Sequence, residues 1–563
     1  MSDRRAPQTW APGLTQLLAY QRSWLRGDVV AGVTVAAYLV PQVMAYATVA
    51  GLPPVAGLWA SLVPMAVYAV LGSSRQLSVG PESTTALMTA TALAPLVIGD
   101  PARYAALSAV LALLVGAICL VAGLCRLGFL ADLLSRPVLI GYMTGVAVIM
   151  ISGQLGKVTG ITVDGDEFVD QIRSFAAGIS DVHWPTVALS AVVLAVLLVL
   201  YRMSPRFPGP LIAVLAATAV VSWFSLEAKG IRVVGGIPAG LPKVSMPAVT
   251  ASELVGLLIP AVGIAIVAFS DNALTGRTFA ARKGETIDAN AELRALGICN
   301  MTTGVTQGFP VSSSGSRTAL GDILGSRTQL YSLVMLATVV AVMLVGRGLL
   351  EHFPMAALGA LVVYAALRLI DIAEFRRLAR FRHSELILAV ATTVAVLGFG
   401  VLYGVLVAIG LSLLDTLRRI ARPHDSVLGY VPGVAGMHDV DDYPEAESVP
   451  GLVVYRYDAP LFFANAENFR ERAMAAVAEA EDPVEWFVLN AEAQVDPDLT
   501  AVDAMEQLRS DLTDRGIVFA MARVKSDLRD DLVAAGFLDR VGTDRIFPTL
   551  PTAVEAFRNR SGQ

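Results

Sequence analysis

The chain has 563 residues, 55% of them hydrophobic and only 16% charged, and its mean hydropathy of +0.62 lies outside the range of soluble globular proteins. A net charge of -6 and an isoelectric point near 5.5 exclude a nucleic-acid partner, which needs a basic surface. The three cysteines, Cys119, Cys125 and Cys299, sit in apolar segments without metal-ligand or disulfide spacing and read as small hydrophobes.

The first segment, 1–26, carries Arg4, Arg5, Arg22 and Arg26 but no apolar stretch, so no cleavable signal peptide is expected. From there to about residue 422 the apolar runs come in helix-length blocks, too close together for soluble loops. Fourteen are predicted: 28–50, 55–71, 80–98, 103–124, 132–153, 184–200, 209–225, 254–273, 290–306, 312–325, 330–346, 354–369, 384–398 and 400–418. Two differ from the rest. LSVGPESTTALM (Leu77 to Met88) and QGFPVSSSGSRTAL (Gln307 to Leu320) each run from a proline into serines and threonines. Proline suits the first turn of a helix and Ser/Thr cap its free N–H groups, so each reads as an extended segment restarting as a half-helix. Matched interruptions in the two halves of a membrane chain point to the binding site of an inverted-repeat carrier. Two helix N-termini facing each other favour an anion, and Arg317 adds a full positive charge. The expected cargo is a small anion. In the eighth run, Asp271 is an isolated carboxylate; at about 2.5–3.5 kcal/mol on insertion scales, such a group faces a cavity and works there.

Charge placement orients these runs. With a cytoplasmic N-terminus, the inner connections hold Arg75, Arg126, Arg136, Arg202, Arg206, Arg277, Arg376, Arg377, Arg380 and Arg382. The outer side holds the sparser Arg103, Lys157, Arg173, Lys229, Arg232, Lys243 and Arg347, and the acidic Asp164, Asp166, Glu167 and Asp170. The positive-inside rule then puts both termini in the cytoplasm, and an even number of spans follows. The arginines from 376 to 382 set topology and meet lipid headgroups. The five histidines are scattered at segment ends and receive no role.

After Pro423 strands alternate with helices: GLVVYRYDAPLFFAN, EWFVLNAE and GIVFAMAR as strands, NFRERAMAAVAEAE, DLTAVDAMEQLRSDLTDRG and LPTAVEAFRNR as helices. This predicts a linker over 423–442 and a small cytoplasmic α/β domain over 443–563.

The residues resemble the SulP sulfate-permease family over nearly the whole chain. AGVTVAAYLVPQVMAYATVAGLPPVAGLWAS looks like that family's first-span signature, GSSRQLSVGPESTTALM its third span, GFPVSSSGSRTAL its tenth, and VDPDLTAVDAMEQL part of its STAS domain. The pattern is close to actinobacterial sulfate-transporter-like members. The resemblance implies an α-helical polytopic membrane protein with 14 transmembrane segments in a 7+7 inverted repeat, core and gate subdomains, and a small α/β STAS domain. It further implies a homodimer in the inner (cytoplasmic) membrane that carries anions by an elevator-type shift over 27–422. It assigns substrate contact to Gln42 and Tyr46, which share one helix face, to Ser314, Ser316 and Arg317, and to Ser83 and Thr84 beginning the opposing half-helix. Glu82 should point away or pair. Proton-coupled relatives place a Glu at Asp271, whereas sodium-coupled bicarbonate relatives place an Asp with a Thr one turn on, as Thr275 is here; the coupling ion stays open between proton and sodium. Thr500 lies where soluble STAS relatives carry a phosphorylatable Ser, and also reads as an N-cap with Asp503 three residues on.

Sulfate uptake by secondary transport is therefore the expected function, with bicarbonate or dicarboxylate transport on the same scaffold as the alternative. A non-transporting sensor signalling through the STAS domain is disfavoured by polar sites in both halves. A nucleobase has no use for Arg317. No metal cluster, nucleophile–base pair or phosphate loop suggests an enzyme, and no cofactor or metal is expected beyond a coupling ion.

Overall fold

A computed structural model describes residues 11–561 except 98, 130–134, 164–167, 204–207, 238, 239, 241, 243, 245, 246 and 248. Arg4, Arg5, Asp164, Asp166, Glu167, Arg206 and Lys243 lie outside the described residues. The chain divides into two compact units, Met1–Ser412 and Leu413–Gln563.

The first unit opens with α1 (Pro12–Leu18), α2 (Leu25–Val49), α3 (Pro54–Leu71), β1 (Val79–Gly80), α4 (Ser83–Leu93) and α5 (Pro101–Leu124). There follow α6 (Arg136–Ser152), α7 (Leu155–Thr159), α8 (Phe168–Ala177), α9 (Trp184–Met203), α10 (Gly209–Trp223) and α11 (Ala251–Ala281). Next come α12 (Ala289–Val305), β2 (Ser312–Ser313), α13 (Gly315–Ile323), α14 (Leu330–Val345), α15 (Arg347–Glu351), α16 (Met355–Leu367), α17 (Ile372–Phe381) and α18 (His383–Ala421). Every predicted apolar run contains a helix, and the last two share α18, which breaks at Gly400 (φ 78, ψ 171). That conformation is costly for any residue with a Cβ, so glycine marks the boundary between the two runs. Seven of the described helices are long and apolar enough to cross a membrane, and three shorter apolar helices, Arg136–Ser152, Gly209–Trp223 and Leu330–Val345, accompany them.

Close helix approach relies on small residues rather than on hydrophobic exclusion, which is weak inside lipid. A Cβ at Gly297 of α12 would stand 2.7 Å from Leu120 N of α5, and one at Gly116 of α5 would stand 2.6 Å from Gly297 O. Both helices therefore meet backbone to backbone. This seam lets α12 bring polar side chains into the interior, where Glu292, Asn300 and Thr303 are all fully buried.

The second unit contains β3 (Asp425–Tyr430), β4 (Met437–Asp439), β5 (Leu452–Tyr457), α19 (Ala466–Ala478), β6 (Trp486–Asn490) and α20 (Leu499–Asp514). After these come β7 (Val518–Ala522), α21 (Ser526–Ala534), α22 (Phe537–Val541), β8 (Ile546–Phe547) and α23 (Leu550–Ser561). The six strands are ordered β4-β3-β5-β6-β7-β8; β3 runs antiparallel to β4 and β5, and the remaining pairs are parallel. Side chains alternate across the sheet: Tyr455, Phe487, Leu489, Phe519 and Met521 enter the core shared with Phe469 and Met505. Val454, Trp486, Val488 and Ala520 enter the core under α23 with Val554 and Phe557. The edges are short, three residues in β4 and two in β8.

Residues 423–442, expected as a linker, supply β3 and β4, and β3 pairs Val427 with Tyr455 in the middle of the sheet. DSVLGY alternates, but it is short, and its partner strand lies across an intervening turn-rich stretch, so its pairing has no local signature.

Candidate functional site

The two interrupted segments meet. β1 and β2 pair antiparallel, Val79 opposite Ser313 and Gly80 opposite Ser312, and each leads directly into its half-helix, α4 or α13. Ser314 N donates to Ser78 O (2.9 Å) and Ser78 N donates to Thr318 Oγ1 (3.0 Å), tying the two segments together beyond the paired strands. Irregular backbone at membrane depth needs such partners, because lipid supplies none. Buried amides meet the same need nearby. Asn300 Nδ2 donates to Val311 O (3.0 Å) while its Oδ1 accepts from Val311 N (2.8 Å). Gln329 Nε2 donates to Ser74 O (2.9 Å) and Leu77 O (3.0 Å), and Tyr331 donates to Gln76 O (2.7 Å).

Arg317 sits at this crossing, and its side chain is fully buried. Its Nε donates to Ser78 Oγ (3.2 Å), and its Nη1 donates to Gln42 Oε1 (3.1 Å) and to Pro81 O (3.0 Å). Nη2 has no hydrogen-bond partner among the described residues. A Cβ at Gly80 would lie 3.5 Å from Nη2, so the absent side chain of Gly80 leaves room beside the free donor. Gln42 in turn donates through Nε2 to Tyr46 Oη (3.0 Å), one turn further along α2. Gln42, Tyr46 and Arg317 are thus brought together, joined by Ser78 and the Pro81 carbonyl, which the sequence did not single out. A buried guanidinium with one unfilled arm is a strong attractor for an anion.

The other expected residues lie around this centre in different ways. Ser314 is the N-cap residue of α13 and its hydroxyl lies 3.3 Å from that of Ser316. On the opposing half-helix, Glu82 is itself the cap: Oε2 accepts from Thr84 N (2.7 Å) and Oε1 from Ser83 Oγ (2.5 Å). Glu82 does pair, as expected, but the partners it takes are the Ser83 hydroxyl and Thr84 amide assigned to the anion. The physical reason is proximity: a carboxylate at the N-cap satisfies the free N–H groups of its own helix. Asp271 of α11 accepts from Ser313 Oγ (3.2 Å) and Ser312 Oγ (3.5 Å) on β2. Thr275, one turn on, is half-buried and makes no hydrogen bond to Asp271 among the described residues.

Glu292, in α12, is a buried carboxylate that the sequence reading did not weigh. It accepts from Tyr68 Oη (2.8 and 3.0 Å), Ser73 N (2.9 Å), Ser73 Oγ (2.7 Å), Ser74 N (3.3 Å) and Asn272 Nδ2 (2.8 Å). It anchors the end of α3 and the stretch entering β1 to the residue beside Asp271. Its only signal was one acid at a helix start, which resembles ordinary first-turn charge. In the second unit, Thr500 is exposed and does not cap α20; the N-cap is Asp498, whose Oδ1 accepts from Ala501 N (2.9 Å) and Oδ2 from Phe463 N (2.8 Å). The helix begins at Leu499, so Asp498 takes the capping place and Thr500 lies inside the first turn.

A helical unit with a polar crossing at its heart, followed by an α/β unit, defines a membrane transporter with an appended α/β domain. Residues 25–392 match the sulfate permease family and residues 443–553 the STAS domain. The chain belongs to the sulfate permease family, a family of transporters and not of enzymes. It is 66% identical over 551 residues to a probable sulfate transporter of Mycobacterium tuberculosis (strain ATCC 25618 / H37Rv), covering 98% of each chain. In fold it is similar to the murine Solute Carrier 26 family member A9 anion transporter in the inward-facing state, with TM-score 0.89 and 23% identity over 99% of this chain and 96% of that one. It is also similar to the transmembrane domain of a cyanobacterial bicarbonate transporter, BicA, with TM-score 0.61 and 22% identity over 70% of this chain and 98% of that one.

Proposed function

We propose that this protein is a secondary active transporter that carries sulfate across the cytoplasmic membrane. The observation that carries the reading is Arg317, fully buried at the β1–β2 crossing with Nη2 unpartnered beside Gly80. The mycobacterial relative's name supports sulfate as the cargo. In this reading the chain crosses the membrane fourteen times as a 7+7 inverted repeat, with β1–α4 and β2–α13 as the equivalent broken spans. Both termini and the STAS domain are cytoplasmic, the protein is a homodimer, and an elevator-type shift of the core exposes the site to each side in turn. Transport is the work of 27–422, and the STAS domain spans 443–563; phosphorylation of Thr500, exposed on α20, is its minor regulatory route.

Charge arithmetic implies a coupling cation. Glu82 lies two residues beyond β1 and Asp271 accepts from both serines of β2, so two carboxylates stand by the crossing that holds one guanidinium. A divalent anion entering beside them gains when a proton or sodium ion neutralises a carboxylate, and Asp271, held only by two serine hydroxyls, is the one assigned, with Thr275 completing the ion's surroundings. The same arithmetic favours bicarbonate as the second reading, because a single negative charge needs less compensation.

Proteoliposomes loaded with imposed proton or sodium gradients test this directly. Sulfate uptake should follow one of the two gradients, and bicarbonate or succinate should compete poorly. Asp271→Asn should abolish the gradient dependence while the protein still purifies as the same oligomer. Uptake of bicarbonate in preference to sulfate would replace the first reading by the second. A finer probe is Gly80→Ala: the added methyl meets nothing closer than Nη2 at 3.5 Å, so folding should survive. Sulfate affinity should fall about tenfold as the carbon takes the place of a ligand oxygen, the scale of one lost charge-assisted hydrogen bond. Isothermal titration in detergent reads the change.

A further inference from the structure

Away from the anion site, α17 forms a structure of its own. It starts at its own N-cap, Asp371, whose Oδ1 accepts from Glu374 N (3.0 Å), and it places Ile372, Phe375 and Leu378 along one side and Arg376, Arg377 and Arg380 along the other, with Glu374 and Phe381 at the seam between them. Leu378 is buried, whereas Ile372 and Phe381 are 59% and 67% exposed. A short helix with this division suits the plane of the membrane interface, with its apolar side toward acyl chains. Between α17 and the start of α6 is a cleft of about 700 Å³ lined by Arg136, Glu374, Arg376, Arg377, Arg380 and Phe381.

Within the cleft, Glu374 is already engaged, by Arg136 (2.9 Å) and by Arg377 (3.4 Å). Arg376 and Arg380 form no ion pair among the described residues, and both line the cleft. Glu385 also lines it and has a partner of its own. Two cationic side chains therefore remain uncompensated in a concave site bordered by exposed apolar groups.

We propose that this cleft binds the phosphate of an anionic phospholipid headgroup. Guanidinium groups match phosphate geometry and charge, and the exposed Phe381 lines the site where acyl chains leave the headgroup, a contact a free phosphate would not use. The bound lipid bridges α6 and α17, reinforcing the Arg136–Glu374 pair that joins the same two helices. This site is independent of the anion reading for Arg317.

The test uses the full-length protein in nanodiscs of phosphatidylcholine with or without phosphatidylglycerol, with retained lipid measured by native mass spectrometry. Wild-type protein should retain phosphatidylglycerol selectively and unfold at a higher temperature in its presence. Arg376→Gln/Arg380→Gln should lower that retention roughly 25-fold, about fivefold per arginine near an anionic surface, without changing the unfolding temperature in phosphatidylcholine alone. Lys229→Gln, an exposed charge removed elsewhere, should behave as wild type. If the double variant fails to fold, Arg380→Gln alone should show the fivefold loss. Unchanged retention in the variants, or displacement of the lipid by inorganic phosphate, would overturn the proposal.

Discussion

Arg317→Ala is expected to lower sulfate affinity by two to three orders of magnitude, the cost of deleting one side of a buried, hydrogen-bonded charge contact. The variant loses the free guanidinium donor at the crossing and leaves Gln42 Oε1, Pro81 O and Ser78 Oγ without their partner. Folding should be affected less than binding, because the wild-type guanidinium is itself desolvated without an ion-pair partner among the described residues, and relief of that cost offsets part of the cost of the orphaned acceptors. Arg317→Lys separates charge from geometry. An ammonium on a flexible stem keeps the charge but cannot reach Gln42 and Pro81 while presenting a third donor, so its affinity should fall between the two. Equilibrium binding of labelled sulfate, with gel filtration as the control for folding, measures both. Wild-type affinity in Arg317→Ala would remove the residue from the site.

The second large effect is on stability. Glu292→Ala is expected to destabilise the protein by at least about 3 kcal/mol, because each orphaned buried donor costs on the order of 1–3 kcal/mol. Tyr68, Ser73, Ser74 and Asn272 all lose their acceptor at once. Glu292→Gln keeps the volume and one carbonyl acceptor, so it should fall between wild type and Ala. Thermal unfolding followed by size exclusion reads the order. Because Glu292 holds the stretch entering β1 and the residue next to Asp271, surviving Ala protein should also transport more slowly. Equal melting points for the three proteins would mean that water replaces the carboxylate without loss.

The helices were legible because lipid imposes them: an apolar run of sufficient length has no other way to satisfy its backbone. The broken segments were legible for the opposite reason, since prolines followed by serines cannot be continuous spans. What the sequence left dark is contact between distant segments. Nothing at Ser78 distinguishes it from any serine before a half-helix, yet it holds the Arg317 Nε. Glu82 shows the same limit: its charge argued that it must pair, but which groups it would take depended on its place at the N-cap. In the second unit, strong alternation marked β5 and β6, whereas β3 gains its identity only from the partner it meets across a turn-rich stretch.

The two brief outer strands of the second unit's sheet also bear on how densely the protein can be expressed. A neighbouring chain that tries to extend the sheet finds three residues on one margin and two on the other, too few to zip into a lasting ladder. Crowding of many copies in one bilayer therefore does not seed polymerisation through these sheets, and overproduced protein should fail, when it does, by loss of its membrane helices and not by fibre growth.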